Sequence, residues 1–332
     1  KTGLPVHVNA YFELSSNRRD IWFGGDMSGG GAARSEWNGA LLADAVAPAY
    51  ASLIAAAATS LGPRAAYYSL FPTNTSLPQP WSLVLSPLFA ALSGLPCVRA
   101  IDPTADARLL ASSSSSSWVA PRAAFFPDPS VETPPDLAAA LRAVGVRLID
   151  GAPADVSAAF ATHCPSVARR MSPAAARAIL KDAKSMRRHP ALDDSAHVVA
   201  LLRYCVSDVD ASDAATAADL DGVPLIPLAN GARGAFAARG GVRGGDDDAE
   251  EEGGRSETYY FMPRASEMSL LRPRASDVLV DRNVLGESLA RALTDIVAGA
   301  TGKALNVRAI DAPSLQYLMP KILPPEWRGG GG

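Results

Sequence analysis

Hydrophobic and polar residues alternate with a period of two at the beginning of the chain. The even-numbered residues from Val6 to Phe12 are apolar and fall on one side of an extended backbone, while the residues between them fall on the other side. A polar turn at Ser15–Asn17 follows, after which residues 18–23 can return as a second strand. The pattern therefore predicts a β-hairpin within the first 23 residues.

A helical spacing of apolar residues follows a glycine-rich loop. The loop is Gly24–Gly31, and apolar residues then recur at helical intervals over Trp37–Ile54. Ser35 has the residue type of an N-cap, and Pro48 lies inside the apolar pattern. We therefore expect a long helix that begins at Ser35 and is kinked or divided at Pro48.

Short elements of both kinds are predicted along the rest of the chain. Extended, β-rich patterns predict strands at residues 65–71, 97–101, 146–149, 223–228, 258–262, 278–280 and 305–310. Helical spacing and end signals predict helices at residues 82–92, 136–144, 153–161, 173–184, 198–206, 285–297 and 315–322. The helix after Ser172–Pro173 has the clearest start, because a capping serine precedes a proline in the first turn.

The order of these elements predicts a mixed α/β (α+β) fold with two subdomains and short edge strands. Residues 1–111 hold the hairpin, the glycine loop, the long helix and a strand–helix–strand unit, and residues 118–328 form the second subdomain. The serine run Ser112–Ser117 lies between them. Within the second subdomain, residues 237–257 combine glycines with seven acidic residues, so we expect a disordered, solvated insert there.

The predicted strand 223–228 contains Pro224 and Pro227. Proline cannot donate a hydrogen bond to a neighbouring strand, so this strand is expected at the edge of a sheet. An edge can accept an extended segment of a partner by strand addition, or it can be covered by a neighbouring unit.

Composition restricts the class of protein. The chain has 332 residues, of which 48% are hydrophobic and 20% charged, with a net charge of −3. These values are typical of a folded protein and argue against coating of nucleic acid or of an anionic membrane. No apolar run approaches the roughly 18 residues that span a bilayer. Cys97, Cys164 and Cys205 are far apart and form no CxxC pair, which favours a reducing, cytoplasmic location with all three thiols in the core.

The adjacent arginines Arg18 and Arg19 are the best candidate site. Two guanidinium groups beside a loop of glycine amides can bind a phosphate or a carboxylate, and Asn17, Asp26 and Arg34 lie at the ends of the same segment. These five residues are the predicted contacts with an anion or a partner.

A structural role for the two arginines is the alternative interpretation. Neighbouring residues of a strand point to opposite faces, so one arginine would be solvated and the other would pair with Glu13 or Asp20. The residues alone favour this second interpretation.

No pattern indicates catalysis, and we expect no catalytic residue, metal or cofactor in this chain. The glycine loop lacks the Gly-Lys-Ser/Thr ending of a phosphate-binding loop. The spacing of the four histidines, His7, His163, His189 and His197, does not match a metal motif. The sequence around Cys164 gives no context for a reactive thiol, and the tryptophans are interpreted as core residues.

Several motifs in a fixed order resemble one known family. They are GLPVHVNAYFELSSNRRDIWFGG from Gly3, WVAPRAAFFPD from Trp118, GVRLID from Gly145, LLRYCVSD from Leu201, LDGVPLIPLANG from Leu220 and LMPKILPPEW from Leu318. Together they resemble the repeat region of the sacsin family of giant chaperone-related proteins, which follows a heat-shock-90-type ATPase-like domain. The acidic insert and the alanine-rich helices depart from that pattern.

The resemblance implies a chaperone or co-chaperone module that scaffolds client or partner binding next to an ATPase-like domain and is not itself an enzyme. Its partners would be client proteins, co-chaperones and adjacent domains of the same chain, with ATP bound only by the upstream domain. Because the sequence starts at Lys1, we expect a piece of a longer chain. Two alternatives stay open: the second half of a split ATPase, in which Arg18 or Arg19 reaches the nucleotide phosphate, and an architectural repeat spacer.

Overall fold

The computed structural model describes residues 2–24, 30–74, 76–101, 116–128, 133–181, 186, 189–213, 216, 219–238, 258–299 and 304–323. The described α-helices, numbered in chain order, are α1 (Gly31–Ala40), α2 (Ala47–Leu61), α3 (Ala65–Tyr68), α4 (Leu85–Leu92), α5 (Pro135–Ala143), α6 (Ala154–His163), α7 (Pro173–Leu180), α8 (Ser195–Cys205), α9 (Ala265–Ala275), α10 (Arg282–Ala298) and α11 (Ala312–Ile322).

The described strands are short. They are β1 (Val98–Ile101), β2 (Ser116–Val119), β3 (Phe126–Pro127), β4 (Arg170–Met171), β5 (Ile226–Pro227), β6 (Arg233–Gly234), β7 (Tyr260–Met262) and β8 (Val307–Ala309). The pairs β1–β2 and β5–β6 are antiparallel, whereas β3–β4 and β7–β8 are parallel. Helices and small sheets together make the fold mixed α/β, which confirms the predicted class.

Internal contacts divide the chain into two units. The first comprises Lys1–Thr133 and Leu141–Met171, and the second comprises Pro134–Ala140 and Ser172–Gly332. The first unit extends beyond the boundary predicted at the serine run, and β1 pairs with β2, which begins within that run at Ser116. The predicted insert, apart from residues 237 and 238, lies outside the described residues.

The core of the first unit forms around α2 and α4. Its largest fully buried side chains include Tyr67, Phe71, Phe89 and Phe160. The N-terminal segment lies extended against this core, and its even-numbered residues from Val6 to Phe12 pack inward as the alternation predicts. In the hairpin that follows, the two described arms pair where Leu14 faces Ile21 in antiparallel orientation.

The long helix begins earlier than predicted. Gly30, with a φ of +86°, precedes the first residue of α1, so Ser35 lies inside the helix and the predicted N-cap was wrong. The helix is also continuous through Pro48, because the turn Leu41–Val46 widens to a π-helix in which the Ala47 N–H donates to the Leu42 carbonyl. Widening relieves the clash between a proline ring and the carbonyl four residues earlier.

The continuous helix Gly31–Leu61 is long and apolar enough to cross a membrane by length and composition, contrary to the expectation from the sequence. One such helix is weak evidence for a membrane span, since the core helix of a folded domain meets the same criterion. In the first unit, Leu42, Tyr50 and Ile54 of this helix are buried in the core.

Several predicted strands were wrong or too long. Residues 146–149 and 278–280 form only isolated backbone pairs with their neighbours and no strand. Residues 65–68 form α3 instead, in which Tyr67 and Tyr68 are both buried and the Tyr67 hydroxyl donates to the Cys97 carbonyl at 2.6 Å. The predicted edge strand 223–228 reduces to β5. Residues 223–229 are buried, β5 pairs with β6, and the Asp281 N–H donates to the Pro227 carbonyl at 2.8 Å, so this strand is not an open edge.

Most of the predicted helices were confirmed. The Ser172 Oγ accepts a hydrogen bond from the Ala175 N–H at 3.2 Å and caps α7, although this helix ends at Leu180 rather than at 184. The turn at Asn230–Gly231 joins β5 to β6, and Gly231 has a φ of +83°, which glycine adopts at little cost.

Candidate functional site

The turn of the N-terminal hairpin is held by its own hydrogen bonds. The Ser15 N–H donates to the Asp20 carbonyl at 2.9 Å, and the Arg18 N–H donates to the Ser15 carbonyl at 2.8 Å. The Asn17 Oδ1 accepts from the Arg19 N–H at 3.0 Å and from the Ser15 hydroxyl at 2.7 Å. Asn17 is thus part of the turn itself, in which a side-chain oxygen replaces a backbone acceptor.

Arg18 and Arg19 project from this turn. Both are exposed, and Arg18 has a φ of +55°, an uncommon value for a residue with a side chain. Within the described ranges neither side chain forms an ion pair, and Glu13 lies 3.9 Å from Arg34 instead. The alternative in which one of the two arginines pairs with Glu13 or Asp20 is therefore not seen.

A buried amide fixes the hairpin to α1. The Asn38 side chain is fully buried; its Oδ1 accepts from the Glu13 N–H at 2.9 Å, and its Nδ2 donates to the carbonyls of Glu13 and Trp22 at 2.8 Å each. The Trp22 N–H also donates to the Glu13 carbonyl at 2.7 Å. In a regular pair of strands the Glu13 N–H would donate directly to the Trp22 carbonyl. The Asn38 amide lies between these two groups and bonds to both, so all of its hydrogen bonds hold the hairpin together.

Arg34 also belongs to the contact between α1 and the hairpin. Its guanidinium lies 5.7 Å from the centre of the Trp22 ring, and the Trp22 Nε1 donates to the Gly31 carbonyl at 3.0 Å. Because Arg34 also faces Glu13, its guanidinium already has partners within the protein. Asp26, the remaining residue of the predicted site, lies outside the described residues.

Exposed aromatic residues lie beside the hairpin, which the sequence interpretation missed. Tyr11 is 87% exposed and Trp37 is 51% exposed, and the Trp37 Nε1 donates to the Tyr11 carbonyl at 3.2 Å. Trp37 was interpreted as a core residue because it continues the apolar pattern of the helix, and that interpretation was wrong. We call Tyr11, Arg18, Arg19 and Trp37 the hairpin surface.

The cysteines and histidines have structural environments. Burial raises the pKa of the Cys97 thiol above its ordinary value and that of Cys205 to about 12, so both remain protonated near neutral pH. His189 and His197 bond to the backbone of Ala191. In the described part of the chain, no group of three or more His, Cys, Asp or Glu side chains is placed to hold a metal ion.

His163 predicts a pH dependence of stability. Its ring stacks on Phe89 at 5.3 Å, its Nε2 is buried, and burial lowers the pKa of the imidazole. As the pH falls through about 6.5, the unfolded chain therefore takes up a proton more readily than the folded chain. The free energy of unfolding decreases as a result. We expect a smaller loss between about pH 7.5 and about pH 5.5 for His163→Phe than for the unchanged protein in urea unfolding. The exposed His7→Gln change is the control, and equal losses in all three proteins would contradict the assignment.

One local similarity to a known protein was found. Over 54 residues the chain is 48% identical to human sacsin, and this stretch covers 16% of the chain and 1% of sacsin. The similarity places a sacsin-like region in the chain. No family model matches the sequence, and no solved structure matches it.

Proposed function

We propose that this chain is a chaperone-associated module of a sacsin-like protein that binds client or partner proteins through the hairpin surface, next to an ATPase-like domain. The local similarity to human sacsin supports the first part. The observation that carries the second part is the pair of exposed arginines on a hydrogen-bonded turn, neither of which forms an ion pair with any residue the structure describes.

Physical chemistry favours protein binding at such a surface. Tyrosine, tryptophan and arginine are the residues that contribute most to protein–protein binding, and Tyr11, Trp37, Arg18 and Arg19 are all accessible. The turn is already ordered by its hydrogen bonds, so little backbone entropy is lost when a partner binds. Guanidinium groups can form paired hydrogen bonds with carboxylates, which favours an acidic partner surface.

The chaperone activity is tested by aggregation of a heat-unfolded test protein, followed by light scattering. The unchanged chain is expected to suppress scattering, and the double variant Arg18→Asn, Arg19→Asn is expected to require about tenfold more protein for the same suppression. Asparagine is chosen because it tolerates the positive φ of Arg18.

A matched control removes two arginines elsewhere. The variant Arg203→Asn, Arg291→Asn changes exposed arginines by the same net charge and is expected to act like the unchanged chain. If the unchanged chain suppresses the aggregation of none of the test proteins, chaperone activity is contradicted. Equal activity of both double variants would contradict the role of the hairpin surface.

A second function is supported by the same two arginines. In a longer protein, one of them would place a cation near the nucleotide phosphate of an ATPase-like domain and stabilise the charge that develops during hydrolysis. In a chain that contains both regions, Arg18→Asn or Arg19→Asn is then expected to lower the hydrolysis rate about a hundredfold. An unchanged rate in both single variants would exclude this role and leave partner binding or an architectural role.

A further inference from the structure

A groove of about 820 Å³ lies between α9 and α10 in the second unit. Its lining includes Met268, Arg272 and Pro273 from α9 and Arg282 and Gly286 from α10. Volumes between about 300 and 1,000 Å³ are typical of sites that bind small organic molecules. The groove is thus large enough for a ligand that is bigger than a simple inorganic ion.

Each helix contributes one guanidinium group to the groove. The Arg282 side chain is 24% exposed, and its Nη1 donates to the Pro263 carbonyl at 3.3 Å, while its Nη2 lies 4.0 Å from the Glu287 carboxylate. The Arg272 Nη2 donates to the Ala229 carbonyl over a long 3.4 Å. A guanidinium has five N–H donors, so these weak contacts use only a small part of what the two arginines offer.

Glu287 does not neutralise both arginines. Its carboxylate also lies 3.6 Å from Arg291, so its charge is shared between Arg291 and Arg282. The side chains that line the groove include two cations and this one anion, which leaves a net positive charge facing a ligand. Since Met268 and Pro273 add apolar surface, the lining combines a cationic part with an apolar part.

The backbone of α10 is interrupted where it lines the groove. Gly286 has a φ of +71° and a ψ of 166°, values that are almost restricted to glycine. Helical backbone continues after it, and Gly286 and Glu287 both line the groove together with Arg282.

We propose that this groove binds an organic anion, with its phosphate or carboxylate group against Arg272 and Arg282 and its apolar part against Met268 and Pro273. The site is independent of the hairpin surface and of the proposed chaperone function. Phosphate and carboxylate share the chemistry that a pair of guanidinium groups recognises, so the experiment compares the two.

The test is a titration of the full chain with phenyl phosphate, with benzoate and with phenol, followed by nuclear magnetic resonance. Saturable binding of phenyl phosphate or benzoate, but not of phenol, is expected, with shifts at residues of α9 and α10. Whichever of the two anions binds more tightly identifies the ligand class. Absence of saturable binding by both anions would overturn the proposal, as would shifts confined to residues outside the groove.

Substitutions identify the side chains responsible. Arg272→Gln and Arg282→Gln are each expected to weaken binding about tenfold, because each removes a charge-assisted contact. Arg274→Gln in α9 is the matched control, since this residue does not line the groove, and it should keep the affinity. Unchanged affinity in both groove variants would overturn the proposal. If either variant fails to fold, the shift map of the unchanged chain decides the question.

Discussion

Replacing Asn38 by alanine is expected to lower the free energy of unfolding of the first unit by about 3 kcal/mol, measured by urea unfolding. The buried amide makes three hydrogen bonds to the backbone of Glu13 and Trp22, and alanine makes none. The Glu13 N–H and the Trp22 carbonyl would lose their partner on α1. Tryptophan fluorescence should report the change, because Trp22 and Trp37 both lie at this contact.

Two further variants separate the amide from the rest of the side chain. Asn38→Asp keeps an acceptor for the Glu13 N–H but cannot donate to two carbonyls when ionised, so it should be nearly as unstable as Asn38→Ala. The exposed Asn9→Ala change is the control and should alter stability by less than about 0.5 kcal/mol. A stability of Asn38→Ala equal to that of Asn9→Ala would contradict the structural role of the amide.

The second large effect is expected at Arg177, which is 3% exposed in the second unit. Its Nη1 donates to the Cys205 carbonyl at 2.6 Å at the end of α8, and its guanidinium also bonds to Asp208 and, at 3.3 Å, to Asp219. Burial alone lowers the pKa of Arg177, but the hydrogen bond and charge of Asp208, together with Asp219, outweigh it and raise the pKa. The guanidinium therefore stays charged, and it joins α7 to the end of α8.

Arg177→Met is expected to lower the free energy of unfolding by about 2–3 kcal/mol in urea unfolding. Methionine fills much of the volume but leaves the Cys205 carbonyl without its donor, whereas Asp208 and Asp219 are partly exposed and can be rehydrated. Arg203→Met is the matched control, because Arg203 is exposed in the last turn of α8. Equal stability of the two variants would contradict the role assigned to Arg177.

Local patterns predicted the elements whose causes are local. Alternation placed residues 6–12 in an extended segment, and Ser172–Pro173 marked the start of α7. The start of the long helix was missed because Gly31 to Arg34 include no large apolar residue, and the positive φ of Gly30 precedes the first helical residue instead. Tyrosines favour strands, but in α3 both Tyr67 and Tyr68 are buried, and Tyr67 bonds to the Cys97 carbonyl 30 positions away, which no local pattern encodes.

The candidate site depends on contacts that are distant in sequence, and the sequence therefore predicted only part of it. The exposed pair Arg18 and Arg19 was identified from its charge. The role of Asn38 was not identified. This residue bonds to Glu13, which is 25 positions away in the sequence, and no periodic pattern encodes that contact. Exposure of Trp37 was likewise missed, since an apolar helical position predicts burial unless the packing of the helix is known.

Hydrogen–deuterium exchange of the full chain shows whether the hairpin surface contacts a partner. Exchange is measured with and without an added ATPase-like domain of the sacsin type and, separately, with an unfolded client. We expect slower exchange in residues 11–22 and at Trp37 when either partner binds, and loss of that protection in the variant Arg18→Asn, Arg19→Asn. Binding that leaves these residues unchanged and protects other segments would contradict a role for the hairpin surface.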